Sequence, residues 1–480
     1  MKKRQLGLGV LFFALMVLCA CGAGSQNELD SAYIPKADEY YDETTSDTEK
    51  EANVSAIEVR YVEDFSSGRA WIKYEIGDQS NRYLGCIDKN GSLLFSFESD
   101  CVRKHVPFEC GASYVVDRQG VTYIIDGQGK ILASSAEGQF DGIASYGDGY
   151  FLAYKNQEGF DSNGYLFLVI GSTGEVLKEI NSKDCTLTSW EDFKEVATYE
   201  GGSKNDVAIY CGDGIFQFMK PDRMSFSGSK CTYVFYDIKT DMLFEKECTS
   251  AYWTKVEDGI CKLRVDGEDV LFDIASQTDN LEQVKQWKEF VRSNHQNVVS
   301  SCGPVSNGRI VYTFYNSYKS HSEDPIYACA YADRTGMYPI EAYSEYMSAE
   351  RSAILGFDQT ADRLLLRFVG KDSNYYLAII DSEGTTIMEP LKCEDGYSSD
   401  FFNCGRFIAG TEDNITIYDT DGNAVFSLND IGGSSISEFS DDVAIIDRNK
   451  SSAKAVDIYG NMLFDNVTTA GSQYITLSGG

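Results

Sequence analysis

Phe65-Ser66-Ser67-Gly68-Arg69-Ala70-Trp71-Ile72, followed a short way on by Leu84-Gly85-Cys86-Ile87-Asp88-Lys89-Asn90-Gly91, is the passage that decides the fold. In its second half, an aspartate at the first turn position can accept hydrogen bonds from backbone N–H groups two residues on. A glycine at the fourth tolerates the positive φ that a side chain resists. Apolar residues flank both, so the string specifies a tight β-hairpin. In its first half, an aromatic residue, two polar residues and a glycine lead into an alternating strand.

Both signals recur. The aspartate turn returns as Ile125-Asp126-Gly127-Gln128-Gly129 and Ile380-Asp381-Ser382-Glu383-Gly384. Variants are Tyr418-Asp419-Thr420-Asp421-Gly422 and Val456-Asp457-Ile458-Tyr459-Gly460, with looser copies at Ala332-Asp333 and Ile170-Gly171. The leading signal returns at Phe108-Glu109-Cys110-Gly111 and Phe402-Asn403-Cys404-Gly405, in degenerate form at Phe439, and weakly at Tyr146, Val256 and Val305. The spacing is roughly 37 to 57 residues, which predicts about eight or nine units of three or four short strands. The passage resembles the WG-type repeats of bacterial extracytoplasmic proteins, although Leu84 and Cys86 stand where that family has tryptophan and tyrosine. The resemblance implies a propeller-like β array and a binding role.

Units of this size cannot bury both faces alone, and stacking them around an axis gives each a core while protecting most edges. The expected fold is therefore all-β: a β-propeller-like repeat array over residues 56–480, of seven or eight blades, with an open array or two smaller β domains as the alternative. The strand Ala56–Tyr61 (AIEVRY) is the expected closing partner of the last blade. One inserted helix is expected around 280–294: Asp279-Asn280-Leu281-Glu282 reads as a capping box, and Leu281, Val284, Trp287, Phe290 and Val291 form an apolar stripe at helical spacing. A second short helical turn is expected at Ser189–Asp192.

Ahead of the repeats, Lys2, Lys3 and Arg4 precede an apolar run from Leu6 to Leu18, too short for a comfortable membrane span. The run ends in Leu18-Cys19-Ala20-Cys21, which resembles the bacterial lipobox. That resemblance implies a signal peptide over 1–20, cleavage after Ala20, and a diacylglyceryl group on the Cys21 thiol. Two or more acyl chains anchor stably, because each buried methylene contributes about 0.8 kcal/mol. Residues 21–55 are acidic and nearly free of aliphatic side chains, the composition of a disordered, extended tether.

A formal charge of −32 excludes nucleic acid and broad adhesion to anionic lipid as partners. Abundant Tyr and Phe, 43 glycines and only 7 prolines fit short strands joined by glycine turns. Of the 14 cysteines, Cys19 and Cys21 lie in the leader region, and the other 12 could pair outside the cell. Cys101 and Cys110 are the closest of these along the chain. Cys86, Cys211, Cys261 and Cys329 sit in apolar strand-like runs, which favours buried free thiols.

Catalytic motifs are missing. His105, His295 and His321 have no second histidine at metal-ligand spacing, and no H-E-x-x-H, G-x-S-x-G or P-loop string occurs. Asp419-Thr420-Asp421-Gly422-Asn423 resembles the start of a calcium loop, but Ala424 and Asp430 occupy the positions that need glycine and a bidentate glutamate. Asp381–Thr386 partly matches the sialidase Asp-box, a structural turn in that family. Tyr312, Phe314, Tyr315, Tyr318, Tyr327 and Tyr331, with Tyr338, Tyr343 and Tyr346 nearby, read first as inter-blade packing and second as a recognition surface. The expected function is a non-catalytic binding or scaffolding lipoprotein on the extracytoplasmic side of the cell membrane. It would contact the bilayer through Cys21 and meet an envelope protein, peptide or glycan, with no cofactor and no metal. An exported propeller enzyme acting on glycans or peptides is the alternative.

Overall fold

The computed structural model describes residues from Ile57 to Leu477, with gaps at 77–81, 157–164, 182–207, 220–230, 250–253, 317–325, 341–350, 358–361, 370–371, 395–397, 400–401, 412–413, 449–453 and 469–471 and at positions 307, 373 and 476. Cys21, the tether, the turn expected at Ser189–Asp192, and His321, Tyr318, Tyr343 and Tyr346 lie outside the described residues.

The unit Asn53–Gly480 contains nine sheets among the described residues, each a run of consecutive antiparallel strands, with one further parallel strand on the first. Blade 1 runs from the strand Ile57–Val62 to Leu93–Glu98, and blade 2 from Val102–His105 to Ile131–Ser134. Blades 3 and 4 run from Gly142–Gly147 to Val176–Asn181 and from Ala208–Gly212 to Met242–Cys248. Blade 5 runs from Val256–Glu257 to Thr278–Asp279, blade 6 from Val298–Ser306 to Met337–Pro339, and blade 7 from Arg351–Phe357 to Thr386–Cys393. Blade 8 (Arg406–Thr411 to Ala424–Ser427) and blade 9 (Val443–Ile446 to Met462–Phe464) have three regular strands each. Their missing first strand survives as isolated bridges, Ser398 to Ala409 and Ile436 to Ile446. Serine hydroxyls replace part of the ladder there: Ile408 N–H donates to Ser399 Oγ and Ile445 N–H to Ser437 Oγ.

The core closes these sheets into a ring. Each apolar cluster joins neighbours: Trp71 and Phe95 with Phe108 and Val115 across blades 1 and 2, Tyr114 with Ile143 and Phe151 across 2 and 3, Phe167 with Phe218, and Phe235 with Phe272, across 3, 4 and 5. The series continues through Leu271 and Ile310, Val311 and Leu364, Leu377 and Phe407, and Ile417 and Ala444. It returns to its start where Val443, Ala455 and Phe464 of blade 9 meet Phe65, Ile72 and Leu93 of blade 1. A closed ring of four-stranded antiparallel sheets is a β-propeller. It has nine blades rather than seven or eight, because the copies in blades 4 and 5 are too degenerate to be counted from their turns.

Closure differs from expectation too. Ile57–Val62 pairs inside its own sheet, with Arg69–Ile76. The seam is clasped instead by the chain's last strand, Gln473–Tyr474, added parallel to Leu93–Glu98 on the outer edge of blade 1.

The aspartate turns form as expected. Asp88 Oδ1 accepts from Asn90 N–H and Ser92 N–H, both at 2.9 Å, and Asp126 and Asp457 repeat the pattern. The glycine has a second duty that composition does not reveal. At Gly91 (φ +75°) a Cβ would lie 2.6 Å from Cγ of Phe464 in the preceding blade, so the turn is pressed flat on its neighbour.

The inserted helix, α1 (Leu281–Arg292), links blades 5 and 6. Val284 and Val291 are buried, and Trp287 stacks on Phe314 with ring centroids 6.2 Å apart. One detail agrees with the sequence reading and one corrects it. Asp279, first residue of the capping box, accepts from Leu281 N–H with its Oδ1, while the Asn280 Oδ1 accepts from Leu271 N–H. Phe290 lies off the buried stripe and is 65% exposed.

Candidate functional site at the two ends of the ring

Alternating strand direction sends the first-to-second and third-to-fourth turns of every blade to one end of the ring. The second-to-third turns and the blade-to-blade connections go to the other. The first end is the more regular among the described residues. In seven of the nine blades the first-to-second connection, among the described residues, is a two-residue turn in which both central residues take positive φ: Ser67-Gly68, Cys110-Gly111, Asp148-Gly149, Asp213-Gly214, Asp258-Gly259 and Cys404-Gly405, with Asp441-Asp442 the glycine-free copy. This is the type I′ geometry, whose twist matches that of the strands it joins. The opposite end carries the long connections, including α1, and there the strand Ile57–Val62 begins.

The inner turns are bonded to one another. Glu109 of blade 2 accepts from Asp148 N–H of blade 3 at 2.5 Å, Asp213 of blade 4 from Gly259 N–H of blade 5 at 2.8 Å, and Asp441 of blade 9 from Gly68 N–H of blade 1 at 2.5 Å. Ser440 Oγ donates to Phe65 O, Lys89 pairs with Asp441 at 3.2 Å, and Arg448 pairs with Asp64. Burial pushes the Glu109 carboxyl up, and the nearby Asp148 adds to this against the hydrogen bond from Asp148 N–H. Burial also raises the Tyr210 phenol, helped by its 2.6 Å hydrogen bond to Asp148. The acidic turn residues thus form a belt of charge-assisted bonds between blades. Sequence reading missed this belt; its signal was the Asp-Gly dipeptide at 148, 213 and 258. Asp213→Ala leaves the Gly259 N–H without its carboxylate, and the expected loss is about 1–3 kcal/mol, read as a lower urea midpoint.

The other candidate groups are dispersed. His105 Nε2 lies 2.8 Å from Glu63 Oε1 of blade 1, beside Trp71. His295 stacks on Tyr327, centroids 3.9 Å apart. In the calcium-like turn, Asp419 Oδ1 accepts from Asp421 N–H and Asn423 N–H, while Asp421 pairs with Arg363 of the neighbouring blade. Burial alone would raise Asp419; the Asn423 side chain and the turn N–H groups outweigh it and hold the carboxyl below the usual range. Asp381 Oδ1 accepts from Thr385 N–H, again as a turn former. Among the described residues no group of three or more His, Cys, Asp or Glu side chains is placed to hold a metal. Tyr312 and Phe314 are buried between blades, and Tyr331 stacks on Tyr338. Cys86, Cys211, Cys261 and Cys329 are buried thiols, and burial pushes Cys261 up to about 12. Cys101 and Cys110 are unbonded to each other.

Fold and site together define the class: an all-β, nine-bladed propeller whose regular end is stitched by its own acidic turns. No protein-family model matches the sequence, and no curated protein matches it. Among solved structures the chain is similar to BamB from Moraxella catarrhalis, at 8% identity over 83% of this chain and 88% of that one, with a TM-score of 0.27. It is also similar to the Dos1 propeller, at 10% identity over 88% and 96%, TM-score 0.34. With a prolyl endopeptidase it shares 8% identity over 77% of this chain and 54% of that one, TM-score 0.33, and so spans about half of that protein. The propeller assignment rests on this chain's own strand order and core.

Proposed function

We propose that this protein is an exported lipoprotein of the cell envelope, anchored in the membrane through acylated Cys21, whose propeller is a non-catalytic binding or scaffolding module on the extracytoplasmic side. The WG-type character of the repeats belongs to the same reading. The observation that supports it best is the belt: the carboxylates gathered at the regular end are hydrogen-bonded to backbone N–H groups of neighbouring blades. In those roles they hold architecture, and an architecture held this rigidly suits presentation of a surface.

The anchor is tested by metabolic labelling with an alkyne fatty acid. Wild-type protein is expected to take the label and sediment with membranes; Cys21→Ala takes none and moves to the soluble fraction. Label retained by Cys21→Ala would move the acylation site elsewhere. The non-catalytic part is tested by incubating the protein with peptide and glycan panels and weighing every bound species afterwards. Ligands recovered unchanged support binding, whereas cleaved ones establish the enzyme.

A further inference from the structure

In blade 1 the outer strand Leu93–Glu98 is covered at Phe95 and Ser96 by a fifth strand, Gln473–Tyr474, and its first residue, Leu93, is 3% exposed, packed in the cluster between blades 9 and 1. The Leu93 N–H donates to Thr468 O at 2.7 Å. The corresponding first residue of the outer strand in blade 3 is Val176, opposite Ile170 just as Leu93 is opposite Ile87. No described strand covers it: Val176 is 50% exposed and the bulged Leu177 beside it 45%. The Lys178–Asp241 ion pair, at 2.5 Å, ties this strand to the turn that leads into Met242 and Leu243 of blade 4, which are also exposed. Glu175 and Glu179 flank the apolar pair and are exposed, while Lys178, the cation of this strand, is engaged by Asp241.

We propose that the outer edge of blade 3, Val176–Asn181, is a docking site for an extended segment of a partner protein with alternating apolar and basic side chains, which adds as a fifth strand. This deepens the binding-module reading and rests on it. Two features carry the inference. The same molecule already adds a strand at the matching edge of another blade, and an edge with no described strand beside it offers a row of N–H and C=O groups. The acidic flanks choose the partner's charge, and the aliphatic pair supplies burial of about 1.5–3 kcal/mol per side chain.

The probe is a fluorescein-labelled peptide of alternating Lys and Val, titrated into the full acylated chain in detergent and followed by anisotropy. Saturable binding is expected, weakened roughly tenfold by the double variant Val176→Asp/Leu177→Asp and equally by N-methylating alternate peptide residues. The sign is diagnostic, because attraction of charge alone would make the more acidic variant bind tighter. Tighter or unchanged binding, indifference to N-methylation, or no saturation overturns the proposal. So does a dimer in sedimentation velocity that the double variant dissociates, which would assign this edge to a second copy. Both substituted side chains are exposed, so an unchanged thermal midpoint verifies folding. A protein that stays membrane-anchored and binds other ligands while failing this test leaves the function reading standing and removes only the edge.

Discussion

Gly91→Ala is expected to lower the stability of the propeller by about 2–4 kcal/mol, whereas Gly111→Ala lowers it by about 1 kcal/mol. Both glycines take positive φ, +75° and +82°, so alanine meets the same backbone penalty at each. They differ in what a Cβ would touch. At Gly111 nothing lies within 4 Å; at Gly91 the new carbon would sit 2.6 Å from Cγ and 2.9 Å from Cβ of Phe464. Those atoms belong to the root of a buried ring rather than the tip of a flexible chain, and they lie at the seam between blades 9 and 1. Either Phe464 leaves its rotamer or the blades part. Urea midpoints of the two variants, with unchanged slopes, measure the difference. Equal shifts would show that the turn glycine acts through its φ alone and that the latch between blades contributes nothing.

That contrast explains what could be read from residues alone. Turn chemistry is local: Asp88 needs only the next four residues to form its bonds, so Asp126, Asp381, Asp419 and Asp457 announce their hairpins in the same way. The alternating strands and the helix are equally local. Blade number is not, because it counts units including those whose turn has drifted. Blade 4 has Asp237-Ile238-Lys239-Thr240-Asp241, where Asp241 takes the positive φ and Lys178 of blade 3 replaces the glycine contact with an ion pair. No window of sequence around residue 241 shows that partner.

The candidate site follows the same division. An Asp-Gly dipeptide states that a turn exists, but which N–H its carboxylate accepts depends on a neighbour 46 positions away, as for Asp213 and Gly259. At the ring closure the separation reaches 373, between Gly68 and Asp441. The exposed edge of blade 3 was equally hidden. Val176 and Leu177 read as ordinary strand residues, and only the covered counterpart in blade 1 shows that a strand can lie there.

Removing residues 468–480 is expected to have the largest effect on the fold. Beyond the short ladder of Gln473–Tyr474 on Phe95 and Ser96, these residues contribute three backbone bonds to blade 1: Leu93 N–H to Thr468 O at 2.7 Å, Thr468 N–H to Gly91 O at 2.9 Å and Ile475 N–H to Ser96 O at 2.8 Å. Ile475 and Leu477 also pack into the cluster of Trp71, Phe95 and Phe97. At about 1 kcal/mol per bond and roughly 1.5–3 kcal/mol per buried aliphatic side chain, the loss is about 6–9 kcal/mol. A whole domain typically has roughly 5–15 kcal/mol in hand. The face-to-face packing between blades 9 and 1 remains, with the Asp441, Ser440 and Arg448 bonds to blade 1, so the ring is held at that seam by side-chain contacts without the strand. The truncated chain should therefore melt well below the full-length protein and digest first at the seam under limited proteolysis. A synthetic peptide spanning 466–480 should restore much of the midpoint, because the outer edge of blade 1 is left open and already shaped. A truncated protein that melts with the full-length one would mean that the clasp is ornamental and that packing between the first and last blades is sufficient.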